Sequence, residues 1–149
     1  MEERMFLKLL PEQLVKVWDM VRFAVAETFL PRNKCTNEYL RFMLSNLLSG
    51  KSQIWMAFDK VGEDRSFIGF VISRIHVDPA IGERVLTIDS IYAFKKVPEG
   101  LFEMGMNTLE EFARKNACKH IVAISDQERI ALLATKMKFT TKFFLTKEV

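Results

Sequence analysis

No stretch of the chain stays apolar for the roughly 18 residues that a membrane-crossing helix requires, so no membrane partner is expected. The opening Met1-Glu2-Glu3-Arg4 lacks the basic-then-apolar order of a secretory leader, and a cytoplasmic, intracellular location is the resulting expectation. Cysteine occurs only at Cys35 and Cys118; a chain this rich in core-forming residues has little need of a disulfide, and both read as reduced, buried thiols. Glycine (6) and proline (4) are too scarce for a fibrous or disordered chain. An excess of one charge is lacking too: 22 basic against 19 acidic residues leave a net charge of +3, far from the basic footprint of a nucleic-acid binder. The densest basic group (Lys136, Lys138, Lys142, Lys147) reads as a solvated face. His76 and His120 are the only histidines, and Cys118-x-His120 is not a zinc-ligand spacing, so no metal is expected. Nucleophile elbows, Walker loops and dinucleotide fingerprints are missing.

What the chain does have is apolar bulk. Thirteen Phe, eight Met and 49% apolar content over 149 residues support one core, read as a single domain spanning residues 1–149. Leu14, Val17, Trp18, Val21 and Val25 recur at three- and four-residue intervals and predict a helix over 11–28, with Pro11 in its first turn. Leu30 to Lys34 breaks the pattern, and Thr36 can cap a second helix with Tyr39, Phe42, Met43 and Leu47 inward. Its apolar residues spread over more than one side, leaving either burial under the first helix or contact with another chain. Three strands follow, around Ile54–Phe58, Ser66–His76 and Arg84–Phe94, then a helix over 98–116 and a buried strand over 119–125. Ser125 and Glu128 stand at capping-box spacing before a last helix, and Phe139 to Leu145 closes the chain as a strand.

The order α-α-β-β-β-α-β-α-β, together with Glu110–Ile121 and Leu133-Ala134-Thr135-Lys136-Met137-Lys138-Phe139, resembles the GNAT superfamily of N-acetyltransferases. The resemblance implies an α/β fold with a mixed sheet and, in an active member, acetyl-CoA as cofactor. It places the pyrophosphate loop at Val97, Pro98, Glu99, Gly100, Leu101, Phe102 and Glu103. Glycines in such a loop let backbone N–H groups at a helix start approach the anion. Counted back from the helix, the family's three motif positions fall on Val97, Gly100 and Phe102; counted forward from the strand, they fall on Pro98, Leu101 and Glu103. The loop therefore reads as degraded, with a ring or a carboxylate where phosphate needs room. Lys95 and Lys96 offer point charges beside it.

The resemblance also places a general base at Asp89 on the central strand. By strict alternation Asp89 shares a face with Val85, Thr87, Ile91 and Ala93, while Tyr92 points the other way. A structural carboxylate is the competing reading of Asp89. The family's frequent general acid, a tyrosine, falls on Ala134, and Lys138 replaces the usual helix-ending glycine, implying a left-handed lysine or a different termination. These losses favour a non-catalytic interaction or structural module, such as a phage-encoded accessory or virion protein, with a protein partner or a second copy as its ligand. The alternative is an acetyl-CoA-dependent N-acetyltransferase acting on a primary amine, with Asp89 as base.

Overall fold

The computed structural model describes residues 2–28, 37–125, 128–143, 145 and 147–149. Cys35, the Leu30–Lys34 break and the Thr36 cap lie outside them, as do Asp126 and Gln127 within the capping-box span. The chain runs β1 (Glu2–Lys8), α1 (Pro11–Thr28), α2 (Asn37–Ser49), β2 (Ser52–Val61), β3 (Asp64–Asp78), β4 (Glu83–Ala93), α3 (Glu99–Lys115), β5 (His120–Ala123) and α4 (Glu128–Lys136). The strands form one sheet in the order β1-β2-β3-β4-β5, antiparallel except for the parallel β4–β5 pair.

Alternation along β2 explains its unbroken apolar run. Ile54, Met56 and Phe58 pack with Leu14, Val21 and Val25 of α1 and with Leu40, Met43 and Leu47 of α2. On the other face Trp55 packs with Met106, Leu109 and Ala113 of α3, and Ala57 with Leu101. With helices on both faces, the stretch Ile54–Phe58 is apolar on either side. A buried polar chain beside it is satisfied: Trp55 Nε1 donates to Ser73 Oγ at 2.9 Å, and Ser73 Oγ donates to Gln53 Oε1 at 3.0 Å. The predicted α1 stripe is the buried one. On α2, Phe42 is 64% exposed rather than inward, because Leu40, Met43 and Leu47 already fill the side that faces the sheet.

The two ends of the chain depart from the expected order. β1 adds an edge strand at the front, where charged residues hide a two-sided pattern: Met5 faces α1 and α2, while Phe6 faces α3 and stacks on Trp55 with ring centroids 5.7 Å apart. At the other end the expected strand over 139–145 is not formed among the described residues, and Phe143 and Leu145 are 92% and 89% exposed. Alternation can specify a strand's faces, but a strand also needs ladder bonds to a neighbour, and none joins the described residues of this segment to the sheet. The buried strand expected over 119–125 is a short, half-exposed edge of four residues. α4 does not bury any side chain fully, although Ile130, Leu133, Ala134 and Met137 form its half-buried face.

α4 ends on a left-handed lysine, Lys138 at φ 69°, with Phe139 N–H closing the turn onto Ala134 O at 3.0 Å. A side chain in that conformation costs about 1–2 kcal/mol. At Gly69 of β3, by contrast, an added Cβ would lie 2.1 Å from the carbonyl oxygen of Tyr92. Chemical denaturation should therefore separate two variants: Lys138→Gly gains about 1 kcal/mol, whereas Gly69→Ala loses about 1–3 kcal/mol by forcing β3 from β4.

Candidate functional site

Two irregularities in β4 create the site. Opposite β3, Ser90 pairs with Ile72 and Ile88 with Ser73, so Asp89 is an extra residue bulged out of the ladder. Opposite β5, the parallel pairing ends at Ile88–Ala123, and beyond it Ser90 to Ala93 continue in the ladder with β3.

The bulge changes the face that strict alternation assigns to Asp89. Ile91 packs with the α3 core, whereas Tyr92 packs with the α1/α2 core. Asp89 joins Arg74, whose neighbours Ser73 and Ile75 face α3 and which itself faces the α1/α2 side. Asp89 and Tyr92 thus share a face, and Ile91 and Ala93 do not belong to it. The inserted residue shifts the alternation by one.

Around Asp89 the face is polar. Arg74 Nε donates to Asp89 Oδ2 at 2.8 Å, and His76 Nε2 meets Thr87 Oγ1 at 2.7 Å. Burial pushes the Asp89 carboxyl above its ordinary value of 3.8, and the Arg74 guanidinium, then His76, pull it back only in part. Between 3.8 and that raised value the folded chain holds more protons than the unfolded one, so stability falls as pH rises through the window. Nearby, Tyr92 donates its hydroxyl to Glu27 Oε2 at 3.3 Å; partial burial and then the Glu27 carboxylate raise its pKa.

Past the end of the parallel ladder lies a cavity of about 70 Å³, walled by Ile91 and Ala93 of β4, Leu101, Phe102 and Gly105 of α3, and Ile130 of α4. It leads to the start of α3. Pro98 takes the N-cap position with no side-chain cap, leaving the first-turn amides of Glu99 and Gly100 without a capping acceptor. Leu101 and Phe102 N–H both turn back to Pro98 O.

The residues of the expected loop serve unlike purposes. Leu101 is buried, and Phe102 packs against the α3 core and lines the cavity rather than covering the helix start. The carbonyl of Val97 is held by Arg129 of α4. Glu99 pairs with Lys136 at 3.3 Å, and Glu103 is exposed. Gly100 is open enough that an added Cβ would come no nearer than 3.9 Å to Arg4 Nη1.

Cations therefore gather at this helix start: Arg4 from β1, Arg129 and Lys136 from α4, and Lys95, which donates to Ser66 Oγ at 2.6 Å. Arg4 also faces Asp59, its Nε 3.6 Å from Oδ1. Arg4, Arg74 and Arg129 are the site residues that reading the sequence missed. β1 was unrecognised, and the Arg74 contact depends on register and bulge together. Ala134 sits half-buried on α4.

Among the described residues no helix is long and apolar enough to cross a membrane. No family model matches the sequence, and no curated protein matches it. Solved structures do. A predicted acetyltransferase from Clostridium acetobutylicum, solved with acetyl-CoA, superimposes with a TM-score of 0.70 at 12% identity, covering 99% of this chain and 96% of that one. An aminoglycoside acetyltransferase from an uncultured soil metagenomic sample, in complex with sisomicin, gives 0.68 at 12% identity over 98% and 94%. The ribosomal-protein-alanine N-acetyltransferase of Brucella melitensis biovar Abortus 2308 gives 0.62 at 14% identity over 99% and 97%.

The balance at Asp89 can be tested by carboxyl-detected NMR titration. The wild-type midpoint should lie above 3.8. Arg74→Gln should move it higher still, because only His76 then opposes the effect of burial.

Proposed function

We propose that this chain, which has the GNAT acyltransferase fold, is an acetyl-CoA-dependent N-acetyltransferase acting on a primary amine. The observation that carries the reading is the coincidence of the Asp89 bulge with the end of the β4–β5 ladder. In support of it, a half-buried carboxylate on the α1/α2 face of β4 stands beside the stretch of strand whose α3 face lines an apolar groove, and that groove leads to an uncapped, cation-flanked helix start.

The residues at the helix start fit a diphosphate. The first-turn amides of Glu99 and Gly100 are free of a capping side chain, and the helix dipole favours an anion there. Gly100 keeps bulk away from those amides, and Arg4 and Arg129 add positive charge. The groove fits a pantetheine arm less well, since about 70 Å³ is too little for it until Phe102 or Ile130 moves aside. When bound, acetyl-CoA supplies an acetyl group already activated as a thioester. The chain's own task is then to orient the amine and remove its proton. Asp89 does the second, its basicity raised by burial and its position fixed by Arg74.

A second reading, a non-catalytic module that meets a protein partner or a second copy, draws on the narrow groove and on Ala134, which cannot donate a proton. Calorimetric melting separates the two. Under the enzyme reading, acetyl-CoA at 100 times its Kd adds about 2.7 kcal/mol. Asp89→Asn should keep that stabilisation while slowing acetyl transfer to a panel of primary amines on the order of 10²–10⁴-fold. An unmoved melting temperature at millimolar acetyl-CoA leaves the module reading standing.

A further inference from the structure

At the opposite end of β4 from Asp89 lies a second and larger cavity, of about 480 Å³, between the start of α1, the start of β2 and the end of α3. Its size is in the range that small-molecule sites occupy. Three cations line it, Lys8, Lys51 and Arg84, and no carboxylate does. None of the three makes an ion pair with any described residue. The nearest acidic neighbour in sequence, Glu83, is itself engaged by His120 at 2.9 Å.

Two of the cations are held in place without being neutralised. Lys8 Nζ stands 5.4 Å from the centroid of the Phe112 ring, a cation–π contact that keeps the ammonium at the cavity wall. Arg84 gives only its Nε, to Asn116 O at 2.7 Å, which leaves its two terminal amino groups for a ligand. The amides at the start of α1 add little: Pro11 has none, and Leu10 gives its own to Gln13 Oε1 at 2.8 Å. The positive potential therefore comes from side chains. The remaining wall mixes apolar side chains, Leu10, Ile54 and Phe112 among them, with the polar Ser52, Gln53 and Asn116.

We propose that this cavity binds a small amphipathic anion: a carboxylate or phosphate headgroup met by Lys8, Lys51 and Arg84, joined to an apolar body that lies against Phe112 and Ile54. The site is separate from the groove between β4 and α3, shares no lining residue with it, and does not depend on the reading of that groove.

The test is isothermal titration of the full chain with hexyl phosphate as probe, against inorganic phosphate and hexanol as controls. Hexyl phosphate should bind saturably at one site, and each control, lacking either the apolar body or the charge, should bind at least about tenfold more weakly. Lys8 and Lys51 are both exposed, so the double variant Lys8→Ala/Lys51→Ala should melt as the wild type does. It should bind hexyl phosphate at least about tenfold more weakly. Absence of saturable binding, equal binding of hexanol or inorganic phosphate, or unchanged affinity in the double variant would each overturn the assignment.

Discussion

The shortness of the β4–β5 ladder is the constraint on which the site depends. Four residue pairs join the parallel strands among the described residues, and at Ile88 the pairing of β4 with β5 ends. Here the bulge at Asp89 breaks the regular pattern on the β3 side at the same level. Both departures fall within one residue of each other, and the groove opens there. Had β5 continued along β4, Ile91 and Ala93 would line a closed sheet rather than a cavity wall.

Asp89 illustrates how an inserted residue and burial act together. A carboxylate on a regular strand points into a core or into water; on a bulge it sits at the boundary, half-shielded and within reach of Arg74. Desolvation and the guanidinium oppose each other, and desolvation is the larger. The result is a carboxyl more basic than a surface aspartate but still anchored. An anchored base suits proton abstraction, although the same ion pair would also serve a purely structural role.

Much of this was legible in the sequence, and the failures have physical causes. The α1 stripe, the β2–β4 succession and the amphipathic α3 follow from periodicity, because each element buries one definite face and that face writes its period into the chain. Lys138 stands where the resembled family ends its helix on glycine, which left a left-handed lysine or a different termination, and the first is found. β1 was hidden by Glu2, Glu3, Arg4 and Lys8, since an edge strand tolerates charge that an interior strand would not. The segment 139–145 shows the converse: alternation can suggest a strand where no ladder forms among the described residues. Ile91, Tyr92 and Ala93 were assigned the wrong faces relative to Asp89 because a bulge leaves no mark in the residue pattern, yet it reverses every side chain beyond it. Arg4 and Arg129 reach the start of α3 through tertiary contacts that no spacing along the chain encodes.

Trp55 sits where these parts meet. Phe6 stacks on one side of its indole, Phe112 meets it edge-on at 5.1 Å, and its N–H is spent on Ser73. Phe6 also walls the groove, and Phe112 the basic cavity. One fluorophore is therefore in van der Waals reach of both recesses through a single intervening ring on each side. Its emission is a built-in optical gauge, sensitive to a shift of either neighbour without any label having to be attached.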